Sequence, residues 1–160
     1  MQSTCDLSDA HGDAVRVLPP VLRHFGGHRR FHGLVQTIKC FEDNTRLKEQ
    51  ANTPGDGRVL VVDAGGSLRC ALLGDTIATE AIEHGWAGIV LYGCVRDTAE
   101  LARLNLGAMA LDAIPRRSRK LGEGVVGVPV EIAGIACVPG DLLVADEDGV
   151  VLLQPSLVAE

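Results

Sequence analysis

Arg96 and Asp97 follow closely on a continuous apolar run, Ala87-Gly88-Ile89-Val90-Leu91-Tyr92. Open α/β sheets place their ligands just past the carboxyl ends of buried parallel strands, and this pair falls at such a position. Further upstream, Gly74-Asp75-Thr76-Ile77 reads as a glycine turn leading into a helix. The first free amides of that helix, from Thr76 and Ile77, can hold a carboxylate. Twenty residues separate Asp75 from Arg96, the length of one helix plus one strand. Such a crossover returns both ends to the same edge of a sheet. The combined site would offer an anion cradle, a guanidinium and two carboxylates, one of them able to take a hard divalent cation. Spacing alone equally allows a plainer reading, in which Asp97 caps the next helix and pairs structurally with a nearby arginine.

The elements that must carry these residues are legible around them. Arg58-Val59-Leu60-Val61-Val62-Asp63 is a β-branched run of the kind covered on both faces. From Asp75 to His84 the apolar residues Ile77, Ala78, Ala81 and Ile82 share one helical face, and Gly85 supplies the stop. Strand, helix, strand, helix gives a βαβ unit with parallel strands, with Asp97-Thr98-Ala99-Glu100 reading as an N-cap and capping box. Nearer the N-terminus, Ser3 or Thr4 can cap a short helix ending at Gly12, Leu34 to Lys39 alternates as a strand does, and Asp43 to Ala51 reads as a helix with Asn44 as a cap. After Pro115, short apolar pieces at 128–132, 135–138, 142–145 and 150–153 are split by Gly134, Pro139-Gly140 and Asp148-Gly149, which predicts antiparallel hairpins in a C-terminal β-meander. Residues 1–160 read as one α/β domain.

Composition removes several function classes. A chain of 160 residues can bury a core without disulfide or metal staples, and its five scattered cysteines include no C-x-x-C pair. Aromatic residues are only 3% of the chain and the net charge is -6, so neither base stacking nor a basic footprint supports direct nucleic-acid binding. Apolar runs are strand-sized, no signal peptide is visible, and the expected location is the cytoplasm, away from membranes. Gly122 to Gly127 matches G-x-G-x-x-G, but Pro129 follows where a dinucleotide site needs a helix. Arg116-Arg117-Ser118-Arg119-Lys120 can hold RNA or an anionic partner, or be a solvated loop, with the loop favoured. His24, His28 and His32 recur every four residues, but the neighbouring glycines argue against a helical metal site. No lysine ends a clearly buried strand, so a Schiff-base mechanism has no good candidate.

Gly74-Asp75 together with the segment from Trp86 to Asp97 resembles the RraA-like family, which contains regulators of ribonuclease E activity and divalent-metal 4-hydroxy-4-methyl-2-oxoglutarate aldolases. Phe25-Gly26-Gly27, Lys39 to Asn44, Val61 to Leu68 and Ala145 to Gly149 are similar to family segments as well, so the likeness spans nearly the whole chain. The resemblance implies a three-layer β/β/α swivelling-domain fold and a homotrimer, with a dimer of trimers as a further assembly, and sites at subunit interfaces. It also implies that the D-x20-R-D pattern, complete here as Asp75, Arg96 and Asp97, carries class II pyruvate-aldolase chemistry on an oxo-acid substrate. Asp97 would ligate Mg²⁺ or Mn²⁺ and Arg96 would bind the oxo acid. Gly74, Asp75, Thr76 and Ile77 would hold its carboxylate through backbone amides, with Asp75 positioning a metal-bound or proton-carrying water. Oxaloacetate decarboxylation should accompany cleavage, because both release the pyruvate enolate. The alternative is a non-enzymatic regulator that binds ribonuclease E. A menaquinone methyltransferase label also attached to the family finds no glycine-rich cofactor turn in this sequence.

Overall fold

A computed structural model describes residues 1–158. In chain order it runs α1 (Thr4–His11), β1 (Arg16–Val17), β2 (Arg23–His24), β3 (Phe31–Lys39), α2 (Thr45–Ala51), β4 (Val59–Asp63), β5 (Ala71–Leu73) and α3 (Asp75–Glu83). It continues through β6 (Gly88–Val95), α4 (Thr98–Leu101), β7 (Gly107–Ala113), β8 (Val125–Val126), β9 (Val130–Ile132), β10 (Ile135–Cys137), β11 (Leu142–Asp146) and β12 (Gly149–Leu153). The main sheet has the order β1-β12-β11-β3-β4-β6-β7-β2, with β5 added on β6 and β8 on β3. Strands β3, β4, β6 and β7 are mutually parallel, as the βαβ reading required. The C-terminal strands form two antiparallel hairpins in different sheets. The β9–β10 pair stands alone, whereas β11–β12 joins the main sheet through β3.

Strands β1 and β2 lie at opposite ends of this order, yet only residues 18–22 separate them in sequence. Laid flat, strands about 4.8 Å apart would set the two ends of the path roughly 33 Å from each other. A five-residue link reaches only about 20 Å. The sheet therefore has to curl. Across the resulting near-closure, His24 Nε2 of β2 meets the backbone carbonyl of Asp146 in β11 at 2.7 Å.

The period of two along the central strands creates two separate cores. Leu60, Val62, Ile89 and Leu91 face α2 and α3, where they meet Leu47, Ala51, Ile77, Ala78 and Ala81. Val59, Val61 and Val90 face the other way, against Val130, Ile132, Leu143 and Leu152 of the hairpins. A smaller cluster holds α1 on the outside of β11 and β12 through Leu7, Leu142, Val144, Val151 and Leu153. The layers are thus helices, parallel strands and hairpins, which is the β/β/α arrangement. Strand β7, Gly-Ala-Met-Ala-Leu-Asp-Ala, has helix-forming composition, but it pairs with β6 on one side and β2 on the other, and its first glycine lies beneath the Phe31 ring. A Cβ at Gly107 or Gly88 would lie 2.2 or 2.5 Å from that ring, so two neighbouring strands carry glycine beneath one phenylalanine.

Candidate active site

Strand β5 occupies the same flank of β6 as β4, further along. β4 pairs with Gly88 to Tyr92, and β5 pairs with Cys94 and Val95. The pairing continues when the Arg96 N–H donates to the Leu73 carbonyl at 2.9 Å. Gly74 and Arg96 consequently leave the sheet side by side, and Asp75, the first residue of α3, faces Asp97. The residues Gly74, Asp75, Thr76, Ile77, Arg96 and Asp97, singled out from sequence, all line one cleft of about 180 Å³.

The expected role of Asp97 as cap of its own helix is not what the structure shows. Asp97 has φ 55° and ψ 43°, and its side chain makes no bond to α4. The left-handed backbone aims the carboxylate at the other helix instead. There its Oδ2 accepts a hydrogen bond from the Asp75 N–H at 3.1 Å and lies 3.8 Å from Arg96 Nε. The positive end of α3 favours a negative group at that point. Gly74 makes the approach possible, because a Cβ there would stand 2.6 Å from Asp97 Oδ2. Among the described residues the Thr76 and Ile77 amides have no acceptor, so the cradle has room for a second anion.

Sequence reasoning missed the opposite wall. The basic run is an exposed loop apart from Ser118, as expected, but its backbone is stitched on both sides. The Ala71 N–H donates to the Arg116 carbonyl at 2.7 Å and the Ser118 N–H to the Ala71 carbonyl at 3.1 Å. On its other side the Arg119 N–H donates to the Glu42 carbonyl and the Asn44 N–H to the Arg119 carbonyl. Ser118 is buried, and Arg117 and Lys120 reach the cleft. With Lys48 and Arg96 they set four cationic side chains against Asp75 and Asp97, which suits a ligand carrying more than one negative charge. Asn44 also lines the cleft. Sequence reasoning cast it as a helix cap, but its side chain makes no capping bond, and Nδ2 donates to the Leu72 carbonyl at 3.1 Å.

Asp43 holds the two rims of this wall together. Its Oδ1 accepts from the Thr45 hydroxyl at 2.7 Å and the Thr45 N–H at 2.9 Å, while Oδ2 accepts from the N–H groups of Leu121 at 2.7 Å and Glu123 at 3.4 Å. Burial alone would push this carboxyl up, but these bonds outweigh it and hold it below the usual carboxylate range. A depressed folded-state pKa means that the stabilisation is complete above the unfolded value of about 3.9 and is lost as pH falls through the folded value. Thermal melts should therefore show a midpoint that drops in acid below about pH 4. Asp43→Ala should lower the midpoint at pH 7 by roughly 3–10 °C and flatten its acid dependence.

The carboxylates at the cleft are the kind of donor that a divalent ion takes. Asp97 and Asp75 offer hard carboxylate oxygens, and among the described residues no three His, Cys, Asp or Glu side chains converge. Mg²⁺ accepts such a site, since it usually retains several waters and binds through one or two carboxylates plus substrate oxygens. His24, His28 and His32 form no such group. Cys94 is buried and burial raises its thiol, as befits a packing residue without nucleophilic character. Gly122 to Gly127 makes no strand-to-helix turn, because β8 within it runs antiparallel to β3. No helix of the described residues is long and apolar enough to cross a membrane.

The model of the RraA-like family, described as Aldolase/RraA, matches residues 4–152. A protein of Alkalilimnicola ehrlichii is 55% identical over 155 residues, covering 97% of this chain and 96% of that protein; it carries a provisional assignment as a 4-hydroxy-4-methyl-2-oxoglutarate aldolase. A solved structure named as the RNA-processing inhibitor RraA of Thermus thermophilis aligns with a TM-score of 0.93 at 47% identity, over 97% of this chain and 94% of that one. Another, named as an S-adenosylmethionine: 2-dimethylmenaquinone methyltransferase of Geobacillus kaustophilus, aligns with a TM-score of 0.95 at 40% identity, over 99% of both chains.

Proposed function

Because the chain belongs to the RraA-like family, we propose that it is a divalent-metal-dependent pyruvate aldolase cleaving 4-hydroxy-2-oxo acids of the 4-hydroxy-4-methyl-2-oxoglutarate type, with oxaloacetate decarboxylation as a second reaction. The observation that carries the reading is the meeting of Arg96, Asp97 and the start of α3 in one cationic cleft. The substrate's carboxylate binds the Thr76 and Ile77 amides. Arg96 points its guanidinium at the 2-oxo oxygen, where negative charge collects as the C3–C4 bond breaks, and a donor fixed there stabilises the transition state. Asp97 would hold a divalent ion, which would supply Lewis acidity to the reaction. Asp75 positions the water that takes the proton from the 4-hydroxyl. Lys120 and Arg117 face the distal carboxylate, which explains a surplus of cations that a simple monoanion would not need.

The test is pyruvate release from 4-hydroxy-4-methyl-2-oxoglutarate and from oxaloacetate, with Mg²⁺ or Mn²⁺ and with EDTA. Turnover of both that disappears with EDTA is expected, from a particle weighing three times the 16.9 kDa chain in light scattering. A folded trimer with no metal-dependent turnover would sink the reading. The likeness to an RNA-processing inhibitor and the net charge of -6 favour the second reading, a regulator that docks on a basic region of ribonuclease E. Salt-sensitive capture of that endonuclease by the protein, unaffected by EDTA, is its signature.

A further inference from the structure

One buried polar atom of a residue that lines the cleft has no hydrogen-bond partner among the described residues. Asn44 is only 8% exposed, and its Oδ1 is buried without a donor among the described residues. The orientation of the amide is fixed, because the Leu72 carbonyl can only accept and therefore takes the NH₂ end, at 3.1 Å. Oδ1 is left as an acceptor. Cations stand nearby, yet none satisfies it. Lys48 is drawn to Glu80 at 3.2 Å, and Arg96, Arg117 and Lys120 line the same cleft without bonding it. A buried acceptor left open in a native site asks for a ligand that donates. Asn44 and Asp75 line the same small cleft, whose volume of about 180 Å³ is that of roughly six water molecules.

We propose that Asn44 Oδ1 is a second anchor, with Asp75, for the water that removes the proton of the substrate's 4-hydroxyl; this rests on the aldolase reading. A water that gives its hydrogens to these two acceptors turns a lone pair towards the remaining direction, where the hydroxyl lies. In cleavage the hydroxyl proton passes to that water, the C4–O bond becomes a carbonyl, and the C3–C4 bond breaks with its electron pair forming the enolate of pyruvate. The same proton then returns to C3. Asn44 itself neither gains nor loses a proton and is a positioning residue. Oxaloacetate behaves differently. Its bond to the departing carbon dioxide breaks with no hydroxyl proton to remove, so that step does not need the water as a base.

The ratio of the two activities is the test. Asn44→Ala should lower cleavage of 4-hydroxy-4-methyl-2-oxoglutarate about tenfold or more relative to oxaloacetate decarboxylation. Both rates are read on one preparation, so a fraction of unfolded protein cancels. Asn44→Ser keeps a hydroxyl as a donor towards Leu72 and removes the amide oxygen. It should give the same change in ratio and covers the case in which the alanine variant does not fold. Equal loss of both activities, or an unchanged ratio in a wild type that turns over both, would overturn the inference while leaving the aldolase reading intact. Wild-type protein inactive on both substrates with metal would overturn the two together.

Discussion

Asp97→Ala is expected to reduce metal-dependent pyruvate release by roughly 10²–10⁴-fold, since several kcal/mol of transition-state charge stabilisation depends on this carboxylate and each 1.36 kcal/mol is tenfold in rate. The alanine change alters more than charge. It also removes the bond to the Asp75 N–H and leaves a non-glycine residue at φ 55° without its polar side chain. Asp97→Asn separates the effects. Asparagine tolerates the left-handed region, and its carbonyl oxygen can still accept from Asp75, so fold and cap survive. A metal-binding role requires the asparagine variant to be nearly as inactive as the alanine one. A purely structural role requires it to retain most of the activity. Steady-state rates and thermal midpoints of both variants, with Mg²⁺ varied, decide the matter.

Arg96→Ala should cost about 10²–10³-fold in kcat for both substrates, the usual loss when one preorganised donor to a developing oxyanion is deleted. Cleavage and decarboxylation share the enolate, so the two losses should agree within a small factor. This parallel fall contrasts with the split expected for Asn44. Arg96→Lys should rescue little. The planar fork of the guanidinium can address two oxygens in a fixed geometry, whereas an ammonium on a flexible stem acts as a point charge. Arg96 lies over Gly74, whose absent Cβ would stand 3.3 Å from its Cγ, so the side chain's path is set by packing as well as charge. If KM for both substrates rises while kcat is unchanged, Arg96 contributes only uniform binding and the proposed stabilisation is wrong.

The parts of the molecule that were readable in advance are those where a local pattern and the tertiary structure agree. Val59 to Asp63 and Gly88 to Tyr92 are apolar on both faces because each face meets a different core, and α3 carries its apolar stripe between an acidic start and Gly85. Their chain order put Asp75 at the same sheet edge as Arg96 and Asp97, and the pairing of β5 with β6 set them side by side. What stayed hidden depends on contacts between distant segments. The direction of the Asp97 side chain follows from one left-handed residue, which its letter does not announce. The Ala-rich β7 is a strand because it pairs with β6 and β2, and the close fit of Phe31 over its glycine comes from far away in sequence. Arg117 and Lys120 belong to the cleft because β5 and the Glu42 to Asn44 turn pin the chain from both sides. Asn44 gave no signal beyond that of a cap, as its significance lies in one bond to Leu72 and one bond not made.

The curl of the main sheet bears on how the protein behaves in crowded solution. A sheet's outer strands are templates for another chain, and the hazard grows with their length and flatness. Here the two terminal strands, β1 and β2, are only two residues long, each carries an arginine, and Pro19-Pro20 lies in the link between them. Proline has no N–H to offer an incoming strand. The link that forces the sheet round thus also closes the path with two short, arginine-bearing strands, which offer an incoming strand little to pair with at those positions.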